Sequence, residues 1–182
     1  MKKIFFKLKT GFTLIETLVA ISILTAAVAG PLVMSIKNIG TANTSQDQLV
    51  AFYLGQEVIE YVRNVRDTNL MRKNLDDAGF DWMEGLRENC VSVDNSKACS
   101  IDVINNKICV IGGACTGGLK FSDGYYSAVT NGASFTRTVK IKNPVDGNAD
   151  EAQVDVEVSW KSKYGKKLKT MHLQDHIFNW RE

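Results

Sequence analysis

The chain has 182 residues, 45% of them hydrophobic, and a formal net charge of +2. Four lysines, Lys2, Lys3, Lys7 and Lys9, precede any acidic residue; setting them aside leaves 18 basic against 20 acidic residues, a net −2, so charge gives no argument for a nucleic-acid partner. The remainder suffices for one small domain with a single core. It shows no Ser-His-acid order, nucleotide-binding loop or paired catalytic carboxylates, so an enzyme is not expected.

The first predicted element is an apolar helix. From Phe12 to Ile36 the only ionisable side chain is Glu16, and at ~1.5 Å rise per residue this segment is long enough to cross a ~30 Å hydrocarbon core. An acidic residue inside such a segment costs roughly 2–3 kcal/mol unless paired or protonated, which marks Glu16 as a functional candidate. The lysines ahead of the run orient it with its N-terminus in the cytoplasm and the rest of the chain across the membrane. Two processing sites are legible. Ala27-Val28-Ala29 before Gly30 has the small-residue form that ends a secretory signal peptide. Gly11-Phe12 is the other.

The stretch GFTLIETLVAISIL, beginning at Gly11, resembles the class III signal of type IV pilins and pseudopilins. The resemblance implies that a prepilin peptidase cuts after Gly11 on the cytoplasmic side and N-methylates Phe12, so that residues 1–11 are a leader and the helix is retained. It also implies that Glu16 matches the family's acidic residue, and that Pro31 lies near the position of a kinking proline. Physically, cleavage after Gly11 creates a positive α-amino group on Phe12 at the end of an apolar helix, to which a neighbouring subunit can offer Glu16. Leaving either charge alone in a low-dielectric bundle costs roughly 3–5 kcal/mol, so the pair can select the register between neighbours.

Residues 12–36 are thus expected to form a transmembrane and assembly helix, and 37–70 an amphipathic continuation. Ala51, Leu54, Val58, Tyr61, Val62 and Val65 fall at helical spacing. The Gly30-Pro31 pair and the polar stretch KNIGTANTSQDQ, with Gly40, predict a kink and then a bent or melted segment. LGQEVIEYVRNVRD, from Leu54, is similar to the corresponding part of minor pilins of the PilV and GspI type.

Residues 71–182 are read as an extracytoplasmic, disulfide-containing β-sheet domain. Within it, residues 68–133 are expected to be a long irregular connection, rich in glycine and asparagine. Cys90, Cys99, Cys109 and Cys115 all lie there, with gaps of eight, nine and five residues. These spacings lack the short knuckles of a zinc site. Of the three possible disulfide pairings, Cys90–Cys99 with Cys109–Cys115 closes two short loops and is favoured; free thiols are the alternative in a non-oxidising envelope. Period-two alternation then predicts strands over Ala133–Lys142 and Gln153–Ser162, the second with Val154, Val156, Val158 and Trp160 on one face. A turn at KYGKK leads to a third strand towards Trp180. One long helix followed by an antiparallel sheet is an α+β, pilin-like architecture, and FTRTVKI, VEVSW and the terminal NW resemble the strand pattern of the same minor pilins.

Three further patterns carry bland readings. His172 and His176 lie on a strand, where a four-residue offset holds them apart, and no metal site is expected. Asp146, Asn148, Asp150 and Glu157 match positions of a calcium loop but lack its glycine, and fit an acidic hairpin turn; some pseudopilins bind calcium, so calcium is the one cofactor kept open. Lys161, Lys163, Lys166, Lys167 and Lys169 beside Tyr164 form a basic tip, read as a solvated turn, although certain minor pilins bind DNA during uptake. The expected function is a minor type IV pilin or pseudopilin. Its expected partners are other pilin subunits, prepilin peptidase, the inner-membrane assembly platform and the membrane, and it would be a single-pass membrane protein before entering a pilus or pseudopilus. The alternatives are a soluble secreted or membrane-anchored binding protein, or a DNA-uptake pilin.

Overall fold

A computed structural model of the chain describes residues 11–73, 81–112, 115–162 and 167–180. Helix α1 spans Leu14–Lys73. It is followed by eight strands: β1 (Val91–Ser92), β2 (Cys99–Asp102), β3 (Lys107–Val110), β4 (Gly118–Ser122), β5 (Tyr125–Ala128), β6 (Phe135–Lys142), β7 (Glu151–Lys161) and β8 (Leu168–Phe178). The architecture is α+β and pilin-like. The chain divides into two compact units between Asn43 and Thr44.

The first unit holds the apolar start of α1. Its helical assignment continues through Gly30, Pro31 and Gly40, so the melted segment expected over the polar stretch is not present. The residues of that stretch, apart from Gly40, are tolerated in helices at a few tenths of a kcal/mol each, too little to break one.

In the second unit, the expected spacing on α1 buries Ala51, Leu54, Val58 and Val62, with Tyr61 and Val65 packed at the margin. The sheet they meet is organised around β6. Along one side β6 pairs antiparallel with β7 over all eight residues, and β7 pairs antiparallel with β8 over eleven. Along its other side, three short strands share the edge: β1 parallel at Ile141, β2 at Val139 and β4 at Phe135. The alternation on β7 directs Val154, Val156, Val158 and Trp160 into the core beside Val139 and Ile141. Helix and sheet come close at Gly55, where a Cβ would lie 2.7 Å from Leu173 Cδ1.

The connection expected to be irregular instead contributes five strands. β2–β3 and β4–β5 are hairpins; in the second, Asp123 and Gly124 both take positive φ, as a two-residue primed turn demands. Disulfides join Cys90 to Cys99 and Cys109 to Cys115. The first is fully buried and ties the residue before β1 to the start of β2. Of the basic tip, Lys163, Tyr164 and Lys166 lie outside the described residues, as do the four N-terminal lysines.

Arg137 is the one charged residue on the inward face of β6, with its side chain 1% exposed. Its guanidinium donates to the carbonyls of Leu54 and Ile101, both at 2.7 Å, and to Glu57 Oε2 at 2.6 Å. One cation therefore bridges α1, β2 and β6. Burial pulls its pKa down, while the hydrogen bond and charge of Glu57 oppose that pull. A guanidinium starts so far above neutrality that it remains a cation.

Candidate functional site: the start of the apolar helix

Gly11, Phe12 and Thr13 precede the first residue of α1 and are exposed. Among the described residues, chain neighbours aside, nothing lies within 4 Å of a Cβ built at Gly11. Thr13 acts as the N-cap: its carbonyl accepts from the amides of Glu16 and Thr17 at 3.1 and 3.2 Å, and its hydroxyl oxygen accepts from the Glu16 amide at 3.3 Å. Glu16 therefore stands at the third helical position. T-x-x-E is the capping-box pattern, and a carboxylate in the first turn also complements the positive end of the helix dipole, by roughly 0.3–1 kcal/mol at an exposed site. Thr13 was legible as a cap from its spacing to Glu16; attention to the charge of Glu16 alone passes over it.

Beyond this turn the helix hides its polarity. Each remaining hydroxyl between Phe12 and Ile36 folds back onto a carbonyl one turn earlier: Thr17 to Leu14 and Ser22 to Leu18, both at 2.8 Å, and Thr25 to Ser22 and Ser35 to Pro31, both at 2.9 Å. With these donors satisfied, the segment presents an apolar surface interrupted only by Glu16. Its apolar side chains, from Leu14 to Ile36, are exposed. This helix is long and apolar enough to cross a membrane and fits a single-pass anchor. Pro31 lies inside it, where its missing N–H leaves the Ala27 carbonyl without its usual partner.

The other candidates are distributed over the sheet domain. His172 and His176 share the outer face of β8; His172 lies 3.8 Å from Glu157, and His176 Nδ1 is 2.6 Å from Glu151 Oε1. Each thus faces its own carboxylate, and at ~3.3 Å per residue the two rings stand about 13 Å apart along the strand. Asp146 and Asn148 lie in the turn before β7, whereas Glu157 is midway along that strand, paired across to Thr138 and His172. The calcium-loop spacing is therefore extended into a strand at its final position. Among the described residues no group of three or more His, Cys, Asp or Glu side chains is placed to hold a metal ion.

Residues 7–30 match the family model described as the prokaryotic N-terminal methylation motif. No curated protein and no solved structure matches the chain. The matched segment contains Gly11, Phe12, the Thr13 cap and Glu16, together with the self-satisfied apolar helix that follows them. The chain thus carries a type IV pilin-like N-terminal methylation motif ahead of an α+β, pilin-like fold.

Proposed function

We propose that this chain is a minor subunit of a type IV pilus or secretion pseudopilus, with the Gly11-Phe12 bond as its processing site and Glu16 as its assembly residue. The observation that carries the reading is the placement of Glu16. It is the only ionisable group from Phe12 to Ile36, and it sits in the first helical turn within the matched motif. Prepilin peptidase cuts after Gly11 and N-methylates Phe12. The new α-amino group then lies at the end of an apolar stem, and Glu16 of an adjacent subunit neutralises it. Mutual neutralisation offsets the desolvation of both charges and fixes the axial register. Before assembly the stem holds the subunit in the inner membrane with its sheet domain extracytoplasmic. The assembly platform then delivers it to the other pilin subunits. The helix-then-sheet order and the resemblance to minor pilins of the PilV and GspI type support a minor role.

The test is the N-terminal residue of the mature protein from its native host, read by mass spectrometry of the terminal peptide. N-methylated Phe12 is expected. A chain starting at Gly30 would overturn the reading, because Glu16 would have been discarded with a signal peptide. Glu16→Ala is expected to lower incorporation into sheared fibres while leaving the sheet domain folded; undiminished incorporation would refute the assembly role.

A further inference from the structure

One end of the second unit collects lysines and exposed apolar side chains, and it is the end where α1 enters. At Asp47 the helix meets Phe121, Tyr126, Phe135, Trp160 and Lys161 around an open cavity of about 370 Å³. It passes Leu173 at Gly55 and Asp175 at Arg63, the last pair 2.8 Å apart. β8 therefore runs alongside α1 in the same direction, and so does β6, since both pair antiparallel with β7. β4 also pairs antiparallel with β6, and β5 with β4. Hence β4 and β7 finish at the entry end, and β5 and β8 start there.

Lys120, Lys161, Lys167 and Lys169 stand at or near these strand ends, and none has an ion-pair partner among the described residues. Asp47 and Asp123 are the described acids at this end, whereas over the rest of the unit the described acidic residues outnumber the basic ones. The unit is thus polarised in charge. Between the lysines its surface is apolar: Leu168 is 62% exposed, Phe121 56% and Tyr125 41%. Lysines interleaved with exposed aromatic and aliphatic side chains suit a membrane interface, where apolar bodies meet the acyl boundary and charged tips stay in water.

Chain length limits how far this end can stand from the bilayer. Asp47 follows Ile36, near the close of the apolar run, by eleven residues, about 16 Å of helix. Headgroups occupy about 5–7 Å of that, which leaves roughly 10 Å, one Debye length at ~0.1 M salt. We propose that, before assembly, this end of the sheet domain rests on anionic lipid headgroups. Lys120, Lys161, Lys167 and Lys169 supply the positive charge, and Phe121, Tyr125 and Leu168 the apolar contact. The inference rests on the first unit being a single-pass membrane anchor. Each lysine close to an anionic surface adds to the attraction, and the same field repels the acidic remainder of the unit, so the charge polarity orients the domain.

The test uses the full-length chain in vesicles of phosphatidylcholine alone or of equal parts phosphatidylcholine and phosphatidylglycerol, each carrying a headgroup-nitroxide lipid. The four native cysteines are paired, so an introduced thiol alone takes a fluorophore. Ser122→Cys places it at the end of β4, and Val93→Cys just after β1, at the opposite end of β6. Nitroxide quenching of the Ser122→Cys label is expected to be about threefold stronger in the anionic vesicles than in the neutral ones. It should fall when salt is raised from ~0.1 M to ~1 M, and the Val93→Cys label should be quenched weakly in both. Lys161→Glu, Lys167→Glu and Lys169→Glu together are expected to bring the anionic value down to the neutral one, whereas the three Arg substitutions retain it. Quenching at Ser122→Cys that ignores lipid charge, or equal quenching of the two labels in anionic vesicles, would overturn the proposal. So would its loss on adding a short duplex oligonucleotide, which would assign the lysines to nucleic acid. Flotation after alkaline extraction tells the two failures apart: a chain that floats without any dependence on lipid charge overturns this proposal alone, and a chain that is extracted overturns the anchor as well.

Discussion

The two units of this chain share one helix and treat it in opposite ways. Before Asn43, α1 exposes leucine, isoleucine and valine on all its faces; after Thr44, it buries one stripe, Ala51, Leu54, Val58 and Val62, against a sheet. The stripe finds its solvent substitute within the chain. The apolar start does not, and an exposed apolar surface of that extent marks a site for lipid or for other chains. In the second unit polar groups are spent on joining elements, as Arg137 does. In the first, hydroxyls are turned back on their own helix and the single carboxylate is held at the capped end. One region is built to be completed from inside, the other from outside.

That contrast breaks most sharply at Arg137. Arg137→Met would leave the Ile101 carbonyl without its donor and strip Glu57 of its partner, at a cost of roughly 3–5 kcal/mol. Urea unfolding of the full chain in detergent, followed by near-ultraviolet circular dichroism from the core tryptophans, should show the midpoint fall accordingly. Adding Glu57→Gln should recover part of the loss, because Glu57 is one-third exposed and its neutral form tolerates the site. A single mutant as stable as the parent would mean that the bridge contributes nothing net.

A matched pair of truncations sharpens the same comparison. Leu54→Ala removes a core side chain and should cost about 2–5 kcal/mol. Leu24→Ala makes the same chemical change on the exposed stem, 67% accessible, and should leave the unfolding midpoint of the sheet domain unchanged within about 0.5 kcal/mol. Its effect should appear instead as weaker retention in membranes. A shared loss of midpoint would mean that the stem packs on the folded domain.

How much of this was legible before the structure follows from pattern length. Val154, Val156, Val158 and Trp160 give four turns of alternation, and β7 could be located from them. The Ala51–Val65 spacing likewise marked the buried stripe of α1. β1 to β5 have two to five residues each, too few for alternation to rise above the background, and three of them, β1, β2 and β4, pair with β6, which lies later in the chain. Asp123-Gly124 between two tyrosine- and phenylalanine-bearing segments was nevertheless a hairpin signal on its face. The Glu57–Arg137 bridge joins residues eighty apart, and nothing local to either announces it. At the N-terminus the methylation motif and the Thr13 cap of Glu16 were legible, because both are written in consecutive residues.

The smallest effect separates the sheet domain by its response to acid. Burial pushes the Asp102 carboxyl up, but hydrogen bonds from the Asn105 side chain and from the Asn105 and Ala128 amides outweigh it, and its pKa lies below the ordinary carboxylate value. Asp81 is lowered chiefly by its hydrogen bonds from Arg87, against a smaller opposing effect of burial. A carboxylate depressed on folding contributes stability that is complete above its unfolded pKa, near ~3.9, and disappears as pH falls through the lower folded value. The unfolding midpoint should therefore be flat from about pH 7 to 5 and decline below about pH 4. Asp102→Asn keeps the shape but weakens the acceptors for two backbone amides, so it should cost about 1–2 kcal/mol at neutral pH. The gap between mutant and parent should close in acid, where Asp102 is itself neutral. A gap that stays constant with pH would show that the mutation acts through packing and not through the charge held at the β2–β3 turn.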